Sequence, residues 1–295
     1  MNRTRSQRTE NCAKQIGRRA ALLLALCFTV FSFSVFARPL DDVIDSGHIT
    51  IFVYNDYAPY SWNDDGEFKG IDVDIAYALG AELGVDVNIL MRGADENLDD
   101  DLRVNIWKGD LIHRRVADVM LHVPYDPEVN ARNDLAVMMA PYFQERMAII
   151  VDNDVLPKVE SFARFLNKTI AVEVDTAGDF FLSNAFNGKL HNSIRRGRTF
   201  AEAAELYMSG DVPALMSSRA QAQWVAFSAS ERDSNILQPP MPGIVRTGWP
   251  IGIAVKHDSR DLGYELADIL SRLTESGEIR AICERYGVTY LSPEL

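Results

Sequence analysis

A strand–helix–strand pattern near the start of the chain constrains its fold most. Ile49-Thr50-Ile51-Phe52-Val53-Tyr54 is a run of β-branched and aromatic residues introduced by Gly47. A loop rich in Asn, Asp, Pro and aromatics follows, from Asn55 to Asp65. Asp72 then stands where a helix N-cap belongs, Ile75, Leu79 and Leu83 recur at helical spacing, and Gly84 closes the helix. Val85 to Met91 reads as the next strand. Two strands joined through a helix are expected to pair in parallel, because parallel neighbours need a long crossover. An α/β sheet follows.

The alternation continues. Leu102 to Lys108 reads as a short helix stopped by Gly109, and Ala117 to Val123 as a buried strand. Residues 92–101 read as acidic surface loop and Pro124 to Asn133 as polar, turn-rich chain. Met147 to Val151 and Thr169 to Val174 are strand-like, and Phe180 to Phe186 and Phe200 to Met208 are helical. Ile251 to Val255 is a strand, and Leu262 to Tyr286 is an amphipathic helical region broken at Gly277. The alternation runs twice, before about residue 146 and again from about 169. The expected class is α/β in two lobes, with a cleft between them suited to a small ligand.

The 295 residues suffice for such a core. The net charge of −12 excludes a chain built to track phosphate backbones, which needs a basic face. Residues 1–19 hold six basic residues and Glu10, no charge appears from Ala20 to Phe36, and Val35-Phe36-Ala37 ends the run. A basic region, an apolar region and a small residue at the site of cleavage describe a secretory signal peptide over residues 1–37. Its removal takes away six basic residues and one acid, which moves the net charge from −12 to −17. Cys12 and Cys27 go with it, and Cys283 is left in the helical pattern Ile279-Ile282-Tyr286 as a small core residue. The mature chain is expected to be a soluble periplasmic monomer with no metal or other cofactor. Its five histidines are scattered, without metal-ligand spacing.

Four stretches, in order, carry a family resemblance. They are Tyr57-Ala58-Pro59-Tyr60 with Gly70-Ile71-Asp72-Val73-Asp74-Ile75-Ala76, Pro141-Tyr142-Phe143 with Met147 to Val151, Ile170 to Thr176, and Gly248 to Val255 with Leu262 to Gly287. The chain resembles a type 2 periplasmic solute-binding protein of family 3, the polar amino-acid-binding kind. The resemblance implies two lobes joined by two crossover segments. Lobe one would be 38–145 plus 250–295 and lobe two 146–249, with a ligand clamped in the interlobe cleft by hinge closure. The partners it implies are a small polar molecule and an ABC-type membrane transporter.

The same resemblance supplies the candidate ligand contacts. Tyr57 matches the family's stacking aromatic, whose face covers a planar or cationic group. Tyr54 ends the strand that leads to it. Tyr60 and Trp62 are assigned to packing, and Asp72 and Asp74 to the helix start. The family grips a carboxylate with the arginine of a Thr-Pro-Glu-Arg-like turn. Here the turn reads Asp126-Pro127-Glu128-Val129-Asn130, the arginine is missing, and Arg132 is the nearest substitute. The family grips the amino group with an acid, and here Ser218 stands at that place after Gly210-Asp211-Val212-Pro213-Ala214. Thr176 matches a ligand-loop hydroxyl, and Asp175 replaces the glycine before it. His122, Tyr125 and Asp126 lie at the end of a central strand, where ligand-facing groups collect. With both charged clamps gone, an ordinary α-amino acid is not the expected ligand.

Two further functions remain open on the sequence. Asp118 to Pro124 is similar to a segment of solute-binding-like accessory proteins of periplasmic quinoprotein alcohol dehydrogenases, which would dock a dehydrogenase or its cytochrome. An exported dehydratase of the cyclohexadienyl type would need an acid/base such as Glu173 and an anion clamp such as Arg132.

Overall fold

The computed structural model describes residues 38–294. The signal-peptide expectation for residues 1–37 lies outside them. A short helix α1 (Leu40–Ser46) precedes strand β1 (His48–Tyr54), and a hairpin of β2 (Trp62–Asp64) and β3 (Glu67–Lys69) leads into helix α2 (Ile71–Leu83). Strand β4 (Asp86–Arg92) pairs in parallel with β1, in register from His48 opposite Asp86 to Tyr54 opposite Arg92. The expected strand–helix–strand unit is therefore present.

Helix α3 (Leu98–Leu102) runs into a π-helical turn at Arg103–Trp107, and strand β5 (Val119–Pro124) joins β1 on its other side, again in parallel. Side chains of β1 are buried on both faces, as a central parallel strand requires. Ile49, Ile51 and Val53 enter one apolar cluster with Val73, Leu79 and Leu266, while Phe52 enters another with Leu102, Ile106 and Met120. Each such side chain stabilises the fold by roughly 1.5–3 kcal/mol.

Helix α4 (Pro127–Arg132) leads to β6 (Ala136–Asp152), a strand of 17 residues that carries the chain from one half of the sheet to the other. Its first part pairs antiparallel with β11 (Gly248–Lys256), from Ala136 opposite Lys256 to Arg146 opposite Gly248. From Met147 onward its partners become β9 (Ala214–Ser218) and β10 (Ser234–Leu237). Strand β7 (Ile170–Glu173) then pairs in parallel with β9 and with β8 (Ile194–Gly197). The resulting order is β4-β1-β5-β11-β6-β9-β7-β8. Helices α5 (Ala177–Gly188), α6 (Phe200–Met208) and α7 (Arg219–Ser228) cover the second half, and α8 (Arg260–Glu275) and α9 (Glu278–Arg285) return to the first. The break expected at Gly277 is real, with φ at 85°.

Several local expectations change. Met147 to Val151 is only the end of β6, whose first part is hidden in the sequence by Pro141. Proline donates no ladder bond, and β6 accommodates it where the register with β11 shifts between Ile251 and Ile253. The turn-rich Pro124 to Asn133 holds α4, whose N-cap Asp126 and first-turn Pro127 form a standard helix start. The acidic loop 92–101 contains the start of α3, capped by Asn97. Cys283 is buried, as expected of a core residue, and burial pushes its thiol up to about 12. Among the described residues no helix is long and apolar enough to cross a membrane.

Candidate functional site

The C-terminal ends of β1, β5 and β7 open onto one cleft, the usual place for ligand groups in an α/β sheet. It has a larger chamber of about 590 Å³ and a smaller one of about 180 Å³, which share Tyr57, Glu173 and Trp249. The larger is walled by Tyr54, Tyr57 and Trp249, with Asp56, Asp95, Asp101 and Glu173 around it. The smaller is lined by Met147, Phe200 and Met216 on one hand and by Thr176, Ser217, Ser218 and Gln221 on the other. Among the described residues no lysine or arginine lines either chamber.

The aromatic wall is held as a block. Tyr57 stacks on Tyr60 with centroids 5.3 Å apart, and makes T-shaped contacts with His122 at 4.9 Å and Tyr54 at 5.9 Å. Tyr60 is buried beneath it and donates to the Glu145 carboxylate. Burial is the main cause that raises the phenols of Tyr54, Tyr57 and Tyr60, so all three stay neutral hydroxyls.

A buried network underlies this wall. Asp72 accepts the Tyr142 hydroxyl at 2.7 Å on Oδ1 and holds His122 Nδ1 at 2.9 Å on Oδ2. The Tyr142 hydroxyl also accepts the His122 backbone N–H at 3.1 Å. Asp72 is 1% exposed and His122 5%. The expected role of Asp72 at the helix start is therefore corrected. Gly70 is the N-cap of α2, no side chain caps it, and Asp72 turns inward from the first turn to meet β5 and β6. Asp74 does stay at the surface, where it pairs with Arg285 at 2.7 Å and accepts the Tyr286 hydroxyl at 2.9 Å.

The carboxylates are unequal. Asp101 is buried, accepts the Tyr54 hydroxyl and the Asp95 N–H, each at 2.8 Å, and has its pKa raised chiefly by burial. Glu173 ends β7, faces both chambers, and is likewise raised by burial against a lowering from the Phe200 N–H.

The cleft gathers only part of the candidate set. Tyr54, Tyr57 and His122 line the larger chamber, and Tyr57, Thr176 and Ser218 the smaller. Thr176 also caps α5, accepting from Asp179 N–H at 3.2 Å and donating to the Glu173 carbonyl at 2.8 Å. Ser218 forms a capping box with Gln221 on α7. Tyr125, Asp126, Arg132 and Asp175 line neither chamber, and each has a physical reason. Tyr125 packs against the apolar cluster of Phe52 and Met120. Asp126 caps α4 through the N–H groups of Glu128 and Val129 and pairs with Arg246 at 2.9 Å. Arg132 is spent on Asp99 at 2.9 Å, in solvent. Asp175 is exposed and gives its N–H to Asp179. Among the residues that sequence reasoning did not place at the site are Trp249, Asp95, Asp101 and Thr199. Trp249 stood inside a stretch already matched to the family; Asp101 gave no local signal, because its burial is tertiary.

Comparison with known proteins agrees with this geometry. Residues 49–100 match the model of bacterial extracellular solute-binding proteins, family 3. No curated protein sequence matches. Among solved structures, an ancestral cationic amino acid solute-binding protein (AncCDT-1) superposes with a TM-score of 0.67 at 22% identity, covering 84% of this chain and 99% of that one. A P235GK mutant of the arginine-binding protein of T. maritima gives 0.56 at 24% identity, covering 84% and 98%. The arginine-, lysine-, histidine-binding protein ArtJ of Geobacillus stearothermophilus gives 0.57 at 19%, covering 81% and 94%. A family 3 signature thus occupies residues 49–100, within a chain folded as a two-lobed type 2 periplasmic binding protein.

Proposed function

We propose that the protein captures a small polar solute in this cleft, in the periplasm, and delivers it to an ABC-type membrane transporter. The observation that carries the reading is the two-chambered cleft at the strand ends, with its block of tyrosines and its ring of polar groups. The lobes would be 38–145 plus 250–295 and 146–249, hinging where β6 leaves β11 for β9 near Arg146 and Gly248. A dehydratase acting on a dicarboxylate is disfavoured. Glu173 lines both chambers, yet such a substrate needs a cation clamp, and Arg132 lies away from both.

The test is a thermal-shift screen with amino acids, amines, sugars, organic acids and alcohol-oxidation products. A ligand at about 100 times its Kd adds roughly 2.7 kcal/mol, a rise of about 5 °C or more for a protein of this size. Silence across every class would sink solute capture and favour docking to a periplasmic dehydrogenase or cytochrome. Once a cationic ligand is in hand, Tyr57→Ala should weaken it about five- to thirtyfold by calorimetry, the range of a desolvated ring–cation contact. Tyr57→Phe keeps the ring face and should bind nearly as the parent does. Equal affinities for all three proteins would remove Tyr57 from the site.

A further inference from the structure

Resting on the reading that the cleft captures a solute, we propose that its ligand is an organic cation that carries no carboxylate, such as a primary amine or an alkylguanidinium. The first observation is the composition of the larger chamber. Tyr54, Tyr57 and Trp249 bring aromatic rings to its lining, and Asp95, Asp101 and Glu173 bring carboxylates. A cation is held by both, since ring quadrupoles and carboxylates attract it and a partly closed cleft screens that attraction less than bulk water.

The second observation concerns what would hold an anion. Four arginines of the fold are already engaged with carboxylates: Arg132 with Asp99, Arg196 with Asp179, Arg246 with Asp126, and Arg92 with Asp110. Two hydroxyls that line the smaller chamber also serve helix starts. Thr176 takes the Asp179 N–H while giving its own proton to the Glu173 carbonyl, and Ser218 takes the Gln221 N–H. At α4 the carboxylate of Asp126 itself covers the Glu128 and Val129 N–H groups. A ligand carboxylate would meet the like charge of Asp101 and Glu173 without a guanidinium to offset it, and like charges at close quarters penalise the wrong partner.

Glu173 gives the inference a pH signature. Burial raises its pKa and that of Asp101, so both take up protons above the usual carboxylate range. Cation affinity should be full when they are ionised and fall as pH drops through those raised values.

Matched pairs test the inference by calorimetry on the purified protein: cadaverine against lysine, and agmatine against arginine. Each pair shares its cationic arm and differs in the carboxylate. The expected result is that at least one amine binds tenfold or more tightly than its amino acid. Glu173→Gln should weaken that amine at least tenfold, and Asp95→Asn, an exposed position that leaves the core untouched, several-fold. Equal or tighter binding of lysine or arginine overturns the inference, and so does amine affinity indifferent to both substitutions. Binding of a sugar or dicarboxylic acid alone overturns it while leaving solute capture standing. No binding by any compound removes both.

Discussion

Gly70→Ala is expected to destabilise the protein by roughly 3–5 kcal/mol, lowering Tm by about 10 °C. Gly70 caps α2 at φ 126° and ψ 168°, a backbone region open essentially to glycine alone. An added Cβ would also run into the Tyr60 carbonyl and the Ser61 nitrogen. That carbonyl has no freedom to retreat. It accepts the Asp72 N–H at 2.8 Å, and the neighbouring Pro59 carbonyl accepts Ile71 N–H at 3.0 Å. Gly70 N–H itself donates to the Tyr286 hydroxyl at 3.1 Å, tying the turn to the end of α9. Relief of the collision would have to move the loop that carries Tyr57 and Tyr60 or the helix that carries Asp72. Thermal unfolding followed by circular dichroism checks this, and a loss below about 1 kcal/mol would mean that the turn yields freely.

Asp72→Ala is expected to cost about 3–5 kcal/mol, because it leaves His122 Nδ1 and the Tyr142 hydroxyl buried without their acceptor. Tyr142→Phe alone should cost roughly 2–4 kcal/mol, because it removes a bond to the Asp72 carboxylate and the acceptor of the buried His122 N–H. The double variant should lose less than the sum of the two, with a coupling of roughly 1–3 kcal/mol, since the residues share one network. Strict additivity in urea unfolding would show that the contacts are independent. The same substitution should loosen the cleft. His122 packs against Tyr57 and Tyr60, with centroids 4.9 and 4.1 Å away, so a ring released from Asp72 no longer holds the aromatic wall. His122 also sits at φ 60°, a costly conformation for a residue other than glycine, and its N–H to Tyr142 is among the bonds that keep it there.

The strand–helix–strand unit of β1, α2 and β4 was legible because its information is local. Ile49, Ile51 and Val53 face one core at period two, Ile75, Leu79 and Leu83 recur at helical spacing, and Gly84 supplies a left-handed C-cap at φ 71°. Cys283 as a core residue was legible for the same reason. Strand β6 was not. Its first part runs through Pro141 and carries Gln144 and Glu145, polar residues that are buried only because partners reach them from far along the chain. Gln144 meets Leu291 and Glu294, and Glu145 meets Tyr60 and the Ala220 N–H. The short strands β8 and β10 carry few apolar residues, so neither period nor propensity marks them.

The cleft divides in the same way. The sequence by itself determined the α/β alternation, the tyrosine-rich loop after β1, and the absence of the arginine and acid expected in the matched clamps. Only the tertiary structure decided what stands in the cleft. It buried Asp72 under His122, drew Asp126 and Arg132 into a helix cap and a surface ion pair, and turned Asp101 and Glu173 toward one cavity with Trp249. The physical reason is that period and capping act between residues a few positions apart. The state of a carboxylate depends on desolvation and on partners dozens of residues away, such as Tyr54 for Asp101 and Tyr142 for Asp72.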